Sequence, residues 1–270
     1  MVFYLILLYN NIMKVVILAG GFGTRFSEET QFKPKPMIEI GDMPMLWHIM
    51  KLYSSYGFND FIICAGYKQQ VIKEWFNNYF IYTSDVTFDF TNNSEVVIHR
   101  KHAEPWKVTI VDTGLFTETG GRLKRVQDYI GNETFMLTYG DGIGDINIKA
   151  LLEYHKKCQK LGTVSVYNFS QNKGILEVND GIVDAFREKS TLDTNLINIG
   201  FMVLEPEIFN FIDDDTTVLE TGPITSLIKD HQLVAYTHKG FWQCMDTLKE
   251  KNNLEQLWNS GKAPWKVWNE

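Results

Sequence analysis

Short, almost wholly apolar runs alternate along the chain with longer stretches whose apolar residues recur at helical spacing. "KVVILA" (14–19) and "DFIICA" (60–65) are rich in branched residues and bounded by glycine or turn residues, the pattern of strands buried on both faces. Between them, "PMLWHIMKLYSSYG" places Pro44 at a first helical position and Gly57 as a stop, and predicts a helix. "KQQVIKEWFNNYF" (68–80) predicts a second helix with its aromatics in a core-facing stripe, and "TFMLTYGD" (134–141) a further strand. This β-α-β-α rhythm predicts an α/β fold: a Rossmann-like mixed, mostly parallel sheet flanked by helices.

The later half changes character. "GTVSVYNFS", "GILEVNDGIVDAFRE" and "NIGFMVLEP" read as strands, with "NDG" a hairpin signal, and helical patterns return at 206–212, 223–230 and 247–259. No Ser/Pro/Gly-rich linker or charge block separates the halves. Residues 13–270 therefore read as one α/β domain with β-rich insertions. The apolar leader "MVFYLILLYNNI" (1–12) is too short to span a bilayer and lacks a basic flank, and Met13 stands directly before the first strand. Translation from Met13 is the reading the pattern favours.

Composition narrows the classes. A chain of 270 residues with 44% hydrophobic and 22% charged residues is an ordinary globular protein, and a net charge of −7 excludes wrapping nucleic acid as its main role. Any anion site must be a local concentration of cations. Cys64, Cys158 and Cys244 lie far apart without C-x-x-C spacing, which points to neither a disulfide framework nor a zinc site but to a reducing, cytoplasmic setting. His99 and His102 have the spacing of half a metal site, but no other ligand cluster accompanies them.

The chemistry concentrates in "GGFGTRFSEETQFKPKPM" (20–37), directly behind the first strand. Glycines at such a turn bring backbone N–H groups close to phosphate oxygens, and Arg25, Lys33 and Lys35 follow at once. The spelling is neither a P-loop, since Thr24 and Arg25 follow Gly23, nor a dinucleotide fingerprint, since Phe26 stands where the third glycine belongs. A carboxylate, Asp141, closes the strand "FMLTY" at the edge of the sheet where open α/β folds bind ligands.

G-G-x-G-T-R followed by K-P-K-P resembles the loop of enzymes that join a nucleoside triphosphate to a sugar 1-phosphate. With "LWHIMKLYS", "AEPWKVTIVDTG", "TGGRLKRV", "TYGDGI", "FWQCMDTL" and "GKAPWKVW", the chain resembles the glucose-1-phosphate cytidylyltransferases of the sugar nucleotidyltransferase family from about Met13 to its end. The "EPW…VDTG…TGGRLKR" block is more particular to the cytidylyl branch.

The resemblance implies the nucleotide-diphospho-sugar transferase fold, with 13–145 mainly nucleotide-binding and 146–270 mainly sugar-phosphate-binding and oligomerising. It implies attack of a sugar 1-phosphate on the α-phosphorus of CTP, giving CDP-sugar and pyrophosphate, in surface-polysaccharide synthesis. By the same likeness Leu18, Ala19, Gly20, Gly21, Phe22, Gly23 and Thr24 contact the nucleotide. Arg25 and Lys35 are the catalytic cations, Thr117, Arg122 and Gly140 lie near the nucleoside, and Asp141 and Asp246 hold Mg²⁺. Lys124 and Arg125 read better as a solvated helix face. Glu188, Lys189 and Asn198 fall to the sugar phosphate. Here the family's E-K-P and N-G-G patterns are altered, with Ser190 after Lys189 and a bulky Ile199 after Asn198. Those departures leave the acceptor sugar open. A uridylyl- or thymidylyltransferase, and a silent sugar-nucleotide-binding subunit, remain the alternatives. The expected partners are small molecules and further copies of the chain, a trimer or hexamer, with no nucleic acid and no membrane.

Overall fold

The computed structural model describes residues 13–92, 95–101, 103–168, 175–179, 182–187 and 196–268. The expected Met13 start therefore concerns a leader outside the described residues. Val15, Ile17 and Ala19 leave the first strand on one side and Val16 and Leu18 on the other, and both sets are buried, in two separate apolar layers. A strand with no polar face must lie inside a sheet covered twice, and that is what forms.

Seven strands make the sheet: β1 (Lys14–Ala19), β2 (Asp60–Ala65), β3 (Lys107–Asp112), β4 (Phe135–Tyr139), β5 (Gly162–Asn168), β6 (Leu196–Leu204) and β7 (Leu233–His238). Their order is β7-β5-β6-β4-β1-β2-β3. All run parallel except β6, which is antiparallel to both β4 and β5, so the sheet is mixed and mostly parallel, as the rhythm predicts.

On one face α1 (Met45–Ser55) buries Leu46, Ile49, Met50 and Tyr53. Ile72 of α2 (Gln69–Tyr82) joins the same layer. The opposite face receives Leu123 of α3 (Thr119–Arg125). α4 (Ile148–Cys158) returns to the first face with Leu151 and Leu152, its start capped by Asn147, whose side chain accepts from the Ala150 N–H at 2.9 Å. α5 (Pro223–Lys229) adds Leu227 to the second face, and α6 (Leu248–Asn259) adds Leu254 to the first.

The structure departs from the sequence pattern in places. Strands β3 and β7 and helix α4 have no counterpart in it. β3 and β7 are the two edges of the sheet, where polar residues interrupt the apolar run and weaken the signal. The stretch expected as a helix over 206–212 is a 3₁₀ turn, Pro206–Phe211. An antiparallel ribbon, Ser84–Asp89 with Glu95–Lys101, stands apart from the sheet; its His99 ring nitrogen is 2.8 Å from the Thr87 hydroxyl, while His102 lies outside the described residues. The hairpin expected around "NDG" pairs Ile175–Asn179 with Ile182–Arg187.

The C-terminal segment is fastened by His48 of α1, which is fully buried. Its Nε2 donates to the Ile40 carbonyl at 2.9 Å, and the buried Trp265 donates from Nε1 to Nδ1 at 3.4 Å. Burial lowers the imidazole pKa from 6.5 to about 4, so His48 is neutral in the folded protein. Because the folded value lies below the unfolded one, the unfolded chain takes up the proton first. Stability contributed by neutral His48 is present above pH 6.5 and is lost as the pH falls toward about 4. A His48→Gln variant should flatten that acid limb in denaturant titrations run across the interval. Trp265→Ala, which empties the largest fully buried side chain, should lower unfolding free energy by about 3–5 kcal/mol in the same assay at neutral pH.

Candidate active site

The glycine loop leaves β1 over a buried cation. A side chain at Gly20 would put its Cβ 2.2 Å from Nη1 of Arg122 and so would displace the guanidinium from beneath the strand end. The Arg122 guanidinium is almost fully buried and donates to the Thr113 hydroxyl at 2.9 Å and the Gly114 carbonyl at 2.6 Å. Burial lowers its pKa, but an arginine keeps its charge. At Gly23 the chain turns left-handed (φ 65°) and packs on Thr30, whose hydroxyl donates to the Phe26 carbonyl at 2.8 Å. The loop is thus pinned from below and from its C-terminal end, with backbone left over for a ligand.

Three charged groups from distant parts of the chain meet beside it. Pro36 packs directly on Gly140, where an added Cβ would come within 2.7 Å of its ring, and this sets Lys35 next to Asp141. A two-stranded ribbon, Gly142–Gly144 against Trp242–Cys244, then brings the C-terminal region alongside, closed by the Met245 N–H donating to the Asp141 carbonyl at 2.9 Å. Asp246 follows immediately. Its N–H donates to Glu250 at 2.8 Å, the acid of the capping box that starts α6. The Lys35 ammonium donates to Asp141 Oδ2 at 2.8 Å and to Asp246 Oδ1. Burial alone would lower the Lys35 pKa; the two carboxylates outweigh it and the net shift is upward, so the amine is charged at any working pH. Lys33 points outward, paired with Glu39 at 2.9 Å, in keeping with a supporting surface charge.

The second half of the chain supplies a strap, residues 214–220, that crosses the start of α3 at backbone contact. Gly120 and Gly121 make the crossing feasible, since side chains there would lie 2.7 Å from the Thr217 carbonyl and 2.5 Å from Asp215 Cα. Arg125 holds Asp215 with two hydrogen bonds and Lys124 donates to the Phe209 carbonyl at 2.9 Å. Arg125 is exposed, as the solvated-face reading expects, and there tethers the strap through Asp215, while Lys124 is half-buried and ties α3 to the 3₁₀ turn that holds Phe209. The strap ends at Glu220, which accepts from the hydroxyls of Thr119, at 2.8 Å, and of Tyr139. On β6, Asn198 accepts from the Gly200 N–H at 2.9 Å. The bulk expected from Ile199 does not reach the cleft: its side chain is buried in the core, and Gly200 (φ 83°) is the glycine that matters, with room for the Tyr139 ring only because it lacks a Cβ.

These elements enclose a cleft of about 720 Å³. Leu18, Ala19, Gly20, Gly21, Phe22, Gly23 and Thr24 line it, with Lys35, Thr117, Arg122, Gly140, Asn198, Asp141 and Asp246. The Arg25 side chain, Glu188 and Lys189 lie outside the described residues. Tyr139, Thr119 and Glu220 also line the cleft and are absent from the sequence expectations. Only "TYGD" hints at Tyr139, and nothing in the spelling of "TTVLETG" marks Glu220. The donor chemistry suits Mg²⁺: two carboxylates converge on one cation, here the Lys35 ammonium, with hard oxygen donors alone. No group of three or more His, Cys, Asp or Glu side chains gathers among the described residues. Cys244, beside this pair, has its thiol pushed up to about 12 by burial and then by Glu250 and Asp246, and so is an unreactive packing residue.

Residues 14–249 match the nucleotidyl transferase family model. The chain is 52% identical over 257 residues to a glucose-1-phosphate cytidylyltransferase of Salmonella typhimurium, covering 95% of this chain and 100% of the relative. It is 43% identical over 257 residues to a probable glucose-1-phosphate cytidylyltransferase of Bacillus subtilis, with the same coverage. Among solved structures, a UDP-glucose pyrophosphorylase from Acinetobacter baumannii superposes with a TM-score of 0.69 at 17% identity, covering 93% of this chain and 96% of that one. HddC from Yersinia pseudotuberculosis gives 0.64 at 21%, covering 91% and 99%. The last two share the fold; the first two carry the family. With the glycine loop, Lys35, Asp141 and Asp246 lining one cleft, the chain belongs to the nucleotidyl transferase family, within its glucose-1-phosphate cytidylyltransferase group.

Proposed function

We propose that the protein joins CTP to α-D-glucose 1-phosphate, giving CDP-glucose and pyrophosphate. The observation that carries this reading is the meeting of Lys35 with Asp141 and Asp246 beside the glycine loop. Both reactants are polyanions, so the reaction asks chiefly for in-line placement and neutralised charge, with no covalent nucleophile.

The roles are those that the resemblance implies, and the lining of the cleft supports them for the residues it includes. Backbone N–H groups of Gly20 to Thr24 hold the triphosphate, and Arg25 draws charge from the departing pyrophosphate. Lys35 lies between the incoming phosphate and the α-phosphate, where the negative charge grows. Its upward-shifted pKa keeps it cationic throughout. Thr117, Arg122 and Gly140 border the nucleoside, while Glu188, Lys189 and Asn198 serve the sugar phosphate. Asp141 and Asp246 would hold Mg²⁺, which when bound offsets phosphate charge and fixes the reacting geometry. Lys35 is a counter-ion of that pair, so the contact that orients the lysine also offsets the repulsion between the two carboxylates.

We further assign it to the cytoplasm as a homo-oligomer, a trimer or hexamer. Among the described residues no helix is long and apolar enough to cross a membrane.

Incubating the protein with Mg²⁺, glucose 1-phosphate and each of CTP, UTP, dTTP, ATP and GTP, and following pyrophosphate, should give the highest kcat/KM with CTP. Faster release with UTP or dTTP would overturn the base assignment. Lys35→Ala should lower kcat about 10²- to 10³-fold, the usual cost of one donor at developing charge, while CTP affinity measured by calorimetry changes little. An unchanged kcat would remove Lys35 from the mechanism.

A further inference from the structure

Glu220 is one of two acids lining the cleft, with the exposed Glu118, that the proposed chemistry leaves without a role. Asp141 and Asp246 share a cation; no lysine or arginine among the described residues pairs with Glu220. A further carboxylate in a site for two polyanions repels phosphate, so its surroundings suit a neutral part of a ligand.

Its setting says which neutral part. Each carboxylate oxygen accepts from one hydroxyl, Oε2 from Thr119 at 2.8 Å and Oε1 from Tyr139. Carboxylate oxygens have further lone pairs, so both remain acceptors after those bonds form. The supports are themselves fixed. The Thr119 hydroxyl also accepts from the Leu219 N–H at 2.9 Å, one residue from Glu220, and the Tyr139 ring is seated on Gly200. Asn198 lines the same cleft from β6. An anchored acceptor in one cleft with an amide is an arrangement that reads O–H donors.

We propose that Glu220, held by Thr119 and Tyr139, accepts a hydrogen bond from a ring hydroxyl of the bound sugar nucleotide and is a specificity-determining residue of this cleft. This rests on the cytidylyltransferase reading above. Two sugars offer such a hydroxyl, the acceptor hexose and the ribose of CTP. Asn198 and the Tyr139–Gly200 contact on β6 put the hexose first.

The test compares wild type with Glu220→Gln in two arms. In the first, kcat/KM is measured for glucose 1-phosphate and for its monodeoxy analogues with CTP fixed, and for CTP and its ribose-deoxy forms with glucose 1-phosphate fixed. Loss of one hydrogen bond to a charged group should cut kcat/KM for glucose 1-phosphate roughly 10- to 100-fold, with a change below about 2-fold for the analogue that lacks the hydroxyl being read. The wild-type preference for that hydroxyl then collapses. Collapse of the preference for CTP over a ribose-deoxy form would identify the ribose as the source instead. Preferences equal in both proteins for every analogue would overturn the proposal.

The second arm titrates CDP-glucose and CTP calorimetrically and needs no turnover. Glu220→Gln should weaken CDP-glucose binding roughly 10-fold or more while CTP binding holds; equal CDP-glucose affinity sinks the assignment. A wild type that binds CDP-glucose yet makes no pyrophosphate refutes the activity and leaves Glu220 to be judged by this arm. Thermal unfolding checks that the variant is folded. Should it be destabilised, Thr119→Val keeps the carboxylate but frees one oxygen, and should reduce the same preference roughly 3- to 10-fold.

Discussion

A lysine ammonium held between two carboxylates is the contact on which this site is built. Lys35 is buried, which disfavours its charge, and Asp141 and Asp246 both accept from its ammonium, which favours it. Each side of the contact makes the other tolerable. The arrangement also presents the negative pair and the positive group to the same small volume, which is what a metal and a phosphate arriving together require.

The remaining framework can be understood as the means of bringing those three residues together. Pro36 against Gly140 places the lysine. The short ribbon 142–144 with 242–244 carries the chain's late aspartate back to the end of β4, and the capping box of α6 fixes its backbone. Upstream, β1 delivers the glycine loop to the same sheet edge, because β1 and β4 are neighbours in the order. The loop lies over Arg122, so the chain's net negative charge is no obstacle to holding a triphosphate: cations are concentrated at one edge and acids are paired nearby.

Three glycines illustrate how packing determines composition around the cleft. Gly120 and Gly121 exist because the strap 214–220 crosses α3 at backbone distance, and Gly20 because a guanidinium lies beneath it. In each case a Cβ would collide with a group that belongs to the site. The strap in turn supplies Glu220, so a feature that looks like loop spelling in one half of the chain is the condition for an acidic group contributed by the other half.

The sequence by itself determined the alternation of the central strands, most of the helices and the chemistry of the opening loop. These are local matters: burial on both faces writes continuous apolar runs, and backbone approach to phosphate writes glycine. It also marked Lys35 by its cation cluster and Asp141 by its strand end, but it joined them with Asp246 only through the resemblance their motifs bear to a family, since nothing in the spacing of positions 35, 141 and 246 says that they meet. The tertiary structure alone decided that meeting, the inward turn of Ile199 with Gly200 as the permissive residue, the tethering roles of Lys124 and Arg125, and the presence of Glu220 with Tyr139 and Thr119 in the cleft. All of these are contacts between residues far apart in the chain, set by sheet order and by which backbones can approach, and a local pattern carries no record of them.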